Sequence, residues 1–201
     1  SVLVENQFLL PTLIPCSRSD LFIVANTILL RNDQGDTAST LGTPVDGAAA
    51  GEKEETHIRV YWHDVVSGPD PTAVQVARAA ATNASKTFFG AVVVIDDPLT
   101  EGPGLGSSRL LGRAQGAYVG AGKGAMALLM AMNFVFQAGT YNGSSVTIMG
   151  RNEVFTAVRE MPIVGGTGVL RMARGYAQAR THTLDLKTGD ATVEYNLYIR
   201  H

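Results

Sequence analysis

In "ATVEYNLYIR" (191–200), Ala191, Val193, Tyr195, Leu197 and Ile199 share one face, while Thr192, Glu194, Asn196, Tyr198 and Arg200 share the other. That is the period of a strand with one buried side. Strand-like runs also occur at 58–66, 88–97, 112–120, 127–136, 144–151 and 175–186, most of them separated by short Gly, Pro, Asn or Asp turns. Only "TAVQVARAA" (72–80) reads as a helix, and a short one. Seven or eight strands in succession with almost no helix between them predict an antiparallel sheet, folded into a sandwich or closed into a barrel. A parallel α/β sheet is excluded, because its crossovers need helices that are missing.

The chain of 201 residues suits one domain with a sizeable core. Sixteen basic and eighteen acidic residues give a net charge of -2, so no field favours nucleic acid or an anionic membrane surface as partner. Cys16 is the only cysteine, which rules out an intrachain disulfide. The apolar run "LFIVANTILL" (21–30) is about half of what a bilayer-spanning helix needs. It has the length of a signal-peptide core, but Asp20 precedes it and Arg18 is the lone basic residue nearby. Residues 31–55 are rich in Gly, Ala, Thr and charge. Residues 1–55 therefore read as an atypical leader and flexible linker, and 56–201 as the folded domain. Asn83-Ala-Ser85 and Asn142-Gly-Ser144 are glycosylation acceptor patterns.

Two glycine clusters invite a nucleotide reading, and both fail. In "IVGGTGVLRMARGYAQA" (163–179) Arg171 stands where GxGxxG closes on Gly or Ala, and alternation resumes at Gly175. "GAGKGA" (120–125) has Ala117 and Gly124 where a P-loop needs Gly and Ser or Thr. The first is expected to be a tight connection between strands and the second a hairpin turn. The four histidines have no paired spacing, so neither a metal site nor a cofactor site is expected. A triad built on His63 and Asp64 is set aside, because adjacent strand residues point to opposite faces.

From Arg59 onward the segments "VYWHDVV", "FGAVVVIDDPLTEGP", "LLGRAQGAYV", "MNFVFQAGTYNGSSVTIMGRN" and "VREMPIVGGTGVLRMARGYAQARTHTLDLKTGDATVEYNLY" occur in an order and spacing that resemble the plant dirigent proteins. This resemblance implies an eight-stranded antiparallel β-barrel, allene oxide cyclase-like and calycin-like. It also implies a homotrimer secreted to the apoplast, with a small phenolic ligand inside the barrel. The family has no redox centre of its own; its best known members steer phenoxy radicals, made by an external laccase or peroxidase, into optically active lignans. "DDPLTEGP", "GRNEVF" and "VREMPIVGG" are similar to a subgroup that includes pterocarpan synthases, which dehydrate an isoflavanol through a quinone methide. Lignan-forming members tend to carry a cysteine pair, from which this chain departs.

Steering a coupling nineteen to one needs a barrier difference of only about 1.7 kcal/mol. Dehydration needs more: an acid for the leaving hydroxyl and a partner for the developing oxyanion. Asp64 and Asp96 match acidic cavity positions of the family, where a raised pKa would suit proton donation, and both also suit strand-end turn chemistry. Arg159 matches a cavity arginine able to hold a phenolate, or it pairs with a surface carboxylate such as Glu160. Tyr118 could donate its hydroxyl to substrate or pack in the core. Phe134 and Phe136 share a face with Leu128, Met130 and Met132, as core or as cavity wall. Arg113 reads either way, and Arg174 reads as structural. The leading expectation is a non-oxidising guide of radical coupling. A dehydratase is second, and a phenolic-binding wall or defence protein third.

Overall fold

The computed structural model describes residues 55–201, so the readings made for the leader and linker lie outside the described residues. Nine strands run in chain order: β1 (Glu55–Asp64), β2 (Ala73–Arg78), β3 (Ala91–Thr100), β4 (Leu110–Gly120), β5 (Ala127–Phe136), β6 (Ser145–Glu153), β7 (Arg159–Thr167), β8 (Arg174–Leu184) and β9 (Ala191–Arg200). All pair antiparallel in the order β1-β9-β8-β7-β6-β5-β4-β3-β2. A further pairing of Tyr61 with Thr100 and Trp62 with Leu99 joins β1 to β3 and closes the sheet. The result is an eight-stranded barrel with β2 as an extra strand.

The closing seam is made in two pieces. Along β3, the C-terminal half is paired by β1 and the N-terminal half by β2, with residues 65–72 looping out between them. The segment read as a helix is therefore an edge strand. Its Val74 and Val76 are exposed, and pairing with β3 decides its conformation where β-branched side chains already disfavour a helix. A short 3-10 turn, Ala80–Ala84, follows it.

His63 clamps the same seam. Thr100 gives its one hydroxyl proton to the Gly102 carbonyl at 2.7 Å, so its Oγ accepts from His63 Nε2–H at 2.6 Å. His63 Nδ1 is then the acceptor for the Thr192 hydroxyl at 3.2 Å, and the buried ring ties β3 to β9 as a neutral imidazole. Burial lowers its pKa accordingly.

Inside, the alternation seen in the sequence fills the barrel. Val60, Met130, Met132, Phe134, Ile148, Met161, Tyr195, Leu197 and Ile199 are fully buried. Each such side chain contributes about 2 kcal/mol of transfer free energy. "GAGKGA" lies in the turn from β4 to β5, as expected. The other glycine cluster is only partly a connection: Gly165 and Gly166 lie within β7, paired with Thr147 and Val146, and the turn begins at Gly168. Gly168 has φ +63, and a Cβ there would stand 2.5 Å from Ser144 Oγ. Among the described residues no helix is long and apolar enough to cross a membrane.

Candidate functional site

Where β1 gives way to β2, the barrel keeps a cavity of about 490 Å³. Its wall combines apolar groups such as Phe88, Val93, Leu128 and Val193 with a few polar ones, Asp64, Tyr118, Asn152, Arg159 and Thr181 among them. The size and mixture suit a small, mostly apolar ligand oriented by a few polar contacts.

Strand parity explains the inward placements. On β1, Trp62 and Asp64 follow Ile58 and Val60 on the interior face. Tyr118 is interior on β4, and Arg159 opens β7 facing inward. Three residues expected in the site, Asp64, Tyr118 and Arg159, thus share one cavity.

The Tyr118 hydroxyl donates to Asp64 Oδ2 at 3.1 Å. Burial outweighs that bond and raises the Asp64 carboxyl to about 7, with the charge of Asp190 adding to the rise. Burial beside the same carboxylate pushes the Tyr118 phenol well above its usual range. At neutral pH this pair can therefore hold a proton facing the cavity.

Arg159 is buried, with Nε donating to Asn152 Oδ1 at 3.0 Å and Nη1 to the Thr156 carbonyl at 3.4 Å. The ion pairs among the described residues involve other residues, and Glu160 turns to Gln178 instead. Desolvation lowers the Arg159 pKa, as expected of a cation with no counterion beside it. Its other N–H groups remain for an acceptor in the cavity.

The remaining expected residues lie elsewhere. Asp96 is exposed on the outer face, where Arg113 Nε donates to it at 2.9 Å, Arg113 Nη2 donates to its carbonyl, and Gln115 donates to it at 3.0 Å. These bonds hold its pKa below the usual carboxylate range. Neither Asp96 nor Arg113 reaches the interior cavity. Val93 and Ile95 face inward, so the interior acid of "IDD" has to be Asp97. Phe134 and Phe136 pack in the closed part of the core against Tyr195 and Tyr141, away from the cavity wall. Arg174 donates to the Val164 and Ala173 carbonyls, a structural arrangement.

Asp97 and Trp62 were missed from sequence. Asp97 is fully buried behind Trp62, accepting from Trp62 Nε1 at 2.7 Å and from the Thr72 hydroxyl at 2.5 Å. Burial and the neighbouring Asp64 charge raise its carboxyl to about 8. It fixes the indole that walls the cavity and anchors Thr72, the end of the looped-out segment. At the other rim, Asp190 accepts from the Val66 and Ser67 amides at 2.9 and 3.0 Å and from the Ser67 hydroxyl at 2.5 Å. Asn83 and Asn142 are both exposed.

Comparison with known proteins agrees with this architecture. Residues 55–200 match the family model described as Dirigent-like protein. Dirigent protein 21 of Arabidopsis thaliana is 49% identical over 166 residues, covering 82% of this chain and 87% of the relative. Pterocarpan synthase 1 of Glycine max is 42% identical over 188 residues, covering 92% and 99%. The solved structure of the pterocarpan synthase dirigent protein PsPTS1 superposes with a TM-score of 0.70 at 46% identity, covering 75% of this chain and 97% of that one. With a family model matched across the whole barrel and relatives this similar over most of their length, the chain belongs to the dirigent family.

Proposed function

We propose that this protein binds a phenolic alcohol in its barrel and eliminates water from it through a quinone methide. The observation that carries this reading is one cavity holding both a carboxyl raised to about 7 and a buried arginine without a carboxylate partner. Asp64, steadied by Tyr118, gives its proton to the leaving hydroxyl, the C–O bond breaks, and water departs. The phenol gives its proton to solvent, Arg159 holds the resulting phenolate oxygen, and its electron pair moves through the ring as the C–O bond breaks, leaving a neutral quinone methide. In an isoflavanol, a second phenolic hydroxyl then adds to the electrophilic carbon and closes the ring, its proton passing to the Asp64 carboxylate while the first oxygen becomes a phenolate again beside Arg159 and is reprotonated from solvent. The names of the pterocarpan synthase relatives support this choice of substrate class.

The test is turnover of an isoflavanol with no oxidant present. Loss of dehydration in Asp64→Asn and Arg159→Ala is expected, and full rate in either variant would refute its role.

A second reading follows from membership of the family: guidance of phenoxy radicals supplied by a laccase or peroxidase. It needs only the shaped cavity and a few hydrogen bonds. Coniferyl alcohol oxidised by laccase with and without the protein tests it, and a racemic lignan in both arms counts against it. The proposal includes secretion to the apoplast, which exposed Asn83 and Asn142 would suit, and self-association as a trimer. Outward Val94, Leu129, Met149 and Val164 support an apolar contact between copies. Light scattering of the purified protein tests the assembly.

A further inference from the structure

One polar side chain of the cavity wall has no part in this chemistry. Asn152 follows Val146 and Ile148 on the interior face of β6 and is buried, at 4% exposure. It lines the cavity together with Arg159. The orientation of its amide is set by that neighbour. Arg159 Nε–H can only donate, so the atom that meets it at 3.0 Å is Oδ1, and the NH2 group occupies the other branch.

Neither Asn152 Nδ2 nor Arg159 Nη2 has a hydrogen-bond partner among the described residues. Both stay open to water, because the one unpartnered side-chain polar atom sealed from it there is the Tyr195 hydroxyl. They open into the cavity that their residues line. Within a guanidinium, Nε–H and Nη2–H point the same way as two parallel prongs, which a carboxylate grips with both oxygens. Asn152 takes the first prong with its carbonyl and presents a donor where a carboxylate would present its second oxygen. Nη2 is left vacant beside Nδ2, and the cation keeps its full charge.

We propose that Asn152 Nδ2 and Arg159 Nη2 together bind one anionic oxygen of the ligand, and that the amide at 152 makes the cavity selective for aromatics that can form a phenolate. The inference deepens the phenolic reading of the site and rests on it. Two donors and an uncompensated charge favour an oxygen that carries negative charge over a neutral hydroxyl or ether. A carboxylate at 152 would close the subsite from within by taking both prongs and neutralising the cation. An aromatic ligand without the oxygen leaves both donors unpaired and binds less well.

The probes are 7-hydroxyisoflavone and unsubstituted isoflavone, titrated by calorimetry into wild type, Asn152→Asp and Asn152→Leu. Wild type should prefer the hydroxylated probe by roughly tenfold or more. The absorbance of that probe should show its phenol ionising, when bound, roughly one pH unit or more below the free compound. Asn152→Asp should abolish most of the preference and return the ionisation to the free value or above it. Asn152→Leu, which removes the donor without adding charge, should lose less of the preference and still ionise the phenol early. Isoflavone should bind all three proteins alike, which reports an intact cavity. In a variant that still binds isoflavone, an unchanged preference and ionisation would overturn the proposal while leaving the phenolic reading intact. Loss of isoflavone binding in both variants would also overturn it, by making Asn152 a structural residue. Wild type binding neither probe would sink the phenolic reading as well.

Discussion

Asp97→Asn should stabilise the protein at alkaline pH, although it removes a buried charge-bearing group. In the folded chain the Asp97 carboxyl is raised from 3.8 to about 8, chiefly by burial and then by Asp64. The folded state therefore binds this proton more tightly than the unfolded state does. Stability associated with it is fully present below about pH 4 and is lost as pH rises toward about 8, after which the penalty is constant. At about 1.4 kcal/mol for each tenfold, that penalty amounts to roughly 6 kcal/mol. The amide copies the neutral acid in place: its oxygen can accept from Trp62 Nε1, and its NH2 can donate to the Thr72 hydroxyl. Thermal melts of both proteins from pH 4 to 9 should coincide near pH 4 and separate by ~10 °C or more at pH 8.5. A variant melting at or below wild type at pH 8.5, or a gap independent of pH, would refute the assignment of Asp97 as a proton-retaining group.

Other consequences can be checked by similar means. Asp96→Asn and Arg113→Ala, which break an exposed pair, should each cost less than about 1 kcal/mol and leave turnover unchanged; a large kinetic effect would return them to the site. His63→Ala should lose ~2–3 kcal/mol at pH 7 through its two hydrogen bonds. Because burial lowers the His63 pKa below 6.5, wild type loses this stability as pH falls through the folded value, so the gap to His63→Ala should shrink in acid. Gly168→Ala should destabilise by about 1–3 kcal/mol, since the turn needs positive φ and Ser144 occupies the space a methyl group would take; an unchanged melting temperature would contradict the geometry.

The sequence carried the barrel because one-sided alternation is a local pattern, readable strand by strand from β5 or β9. It did not carry β2, since "AVQVAR" becomes a strand by virtue of a partner on β3, and only Ala73 is buried. In the site, Asp64, Tyr118 and Arg159 were legible from family resemblance, and their common cavity required only that each face inward. The resemblance points to Asp96, whereas period-two counting from Val93 and Ile95 puts Asp97 on the interior face. Tyr195 was seen only as one apolar-face position of its strand. That it stands abreast of Arg159 across Ala179 depends on registers across β7, β8 and β9, which no local pattern records.

The divided seam along β3 separates two jobs, closing the barrel and shaping its mouth. Tyr61 and Trp62 on one side and β2 on the other complete the hydrogen-bonded circuit, while 65–72 hangs between them at the cavity rim. Insertions, deletions or new side chains at 68–71, between the ends held by Asp190 and by Thr72, would reshape the doorway without removing a rung of the ladder. A lineage built on this scaffold could therefore change which molecules enter at little cost to folding, and such a hinge of variation is well placed for a family to diversify its chemistry.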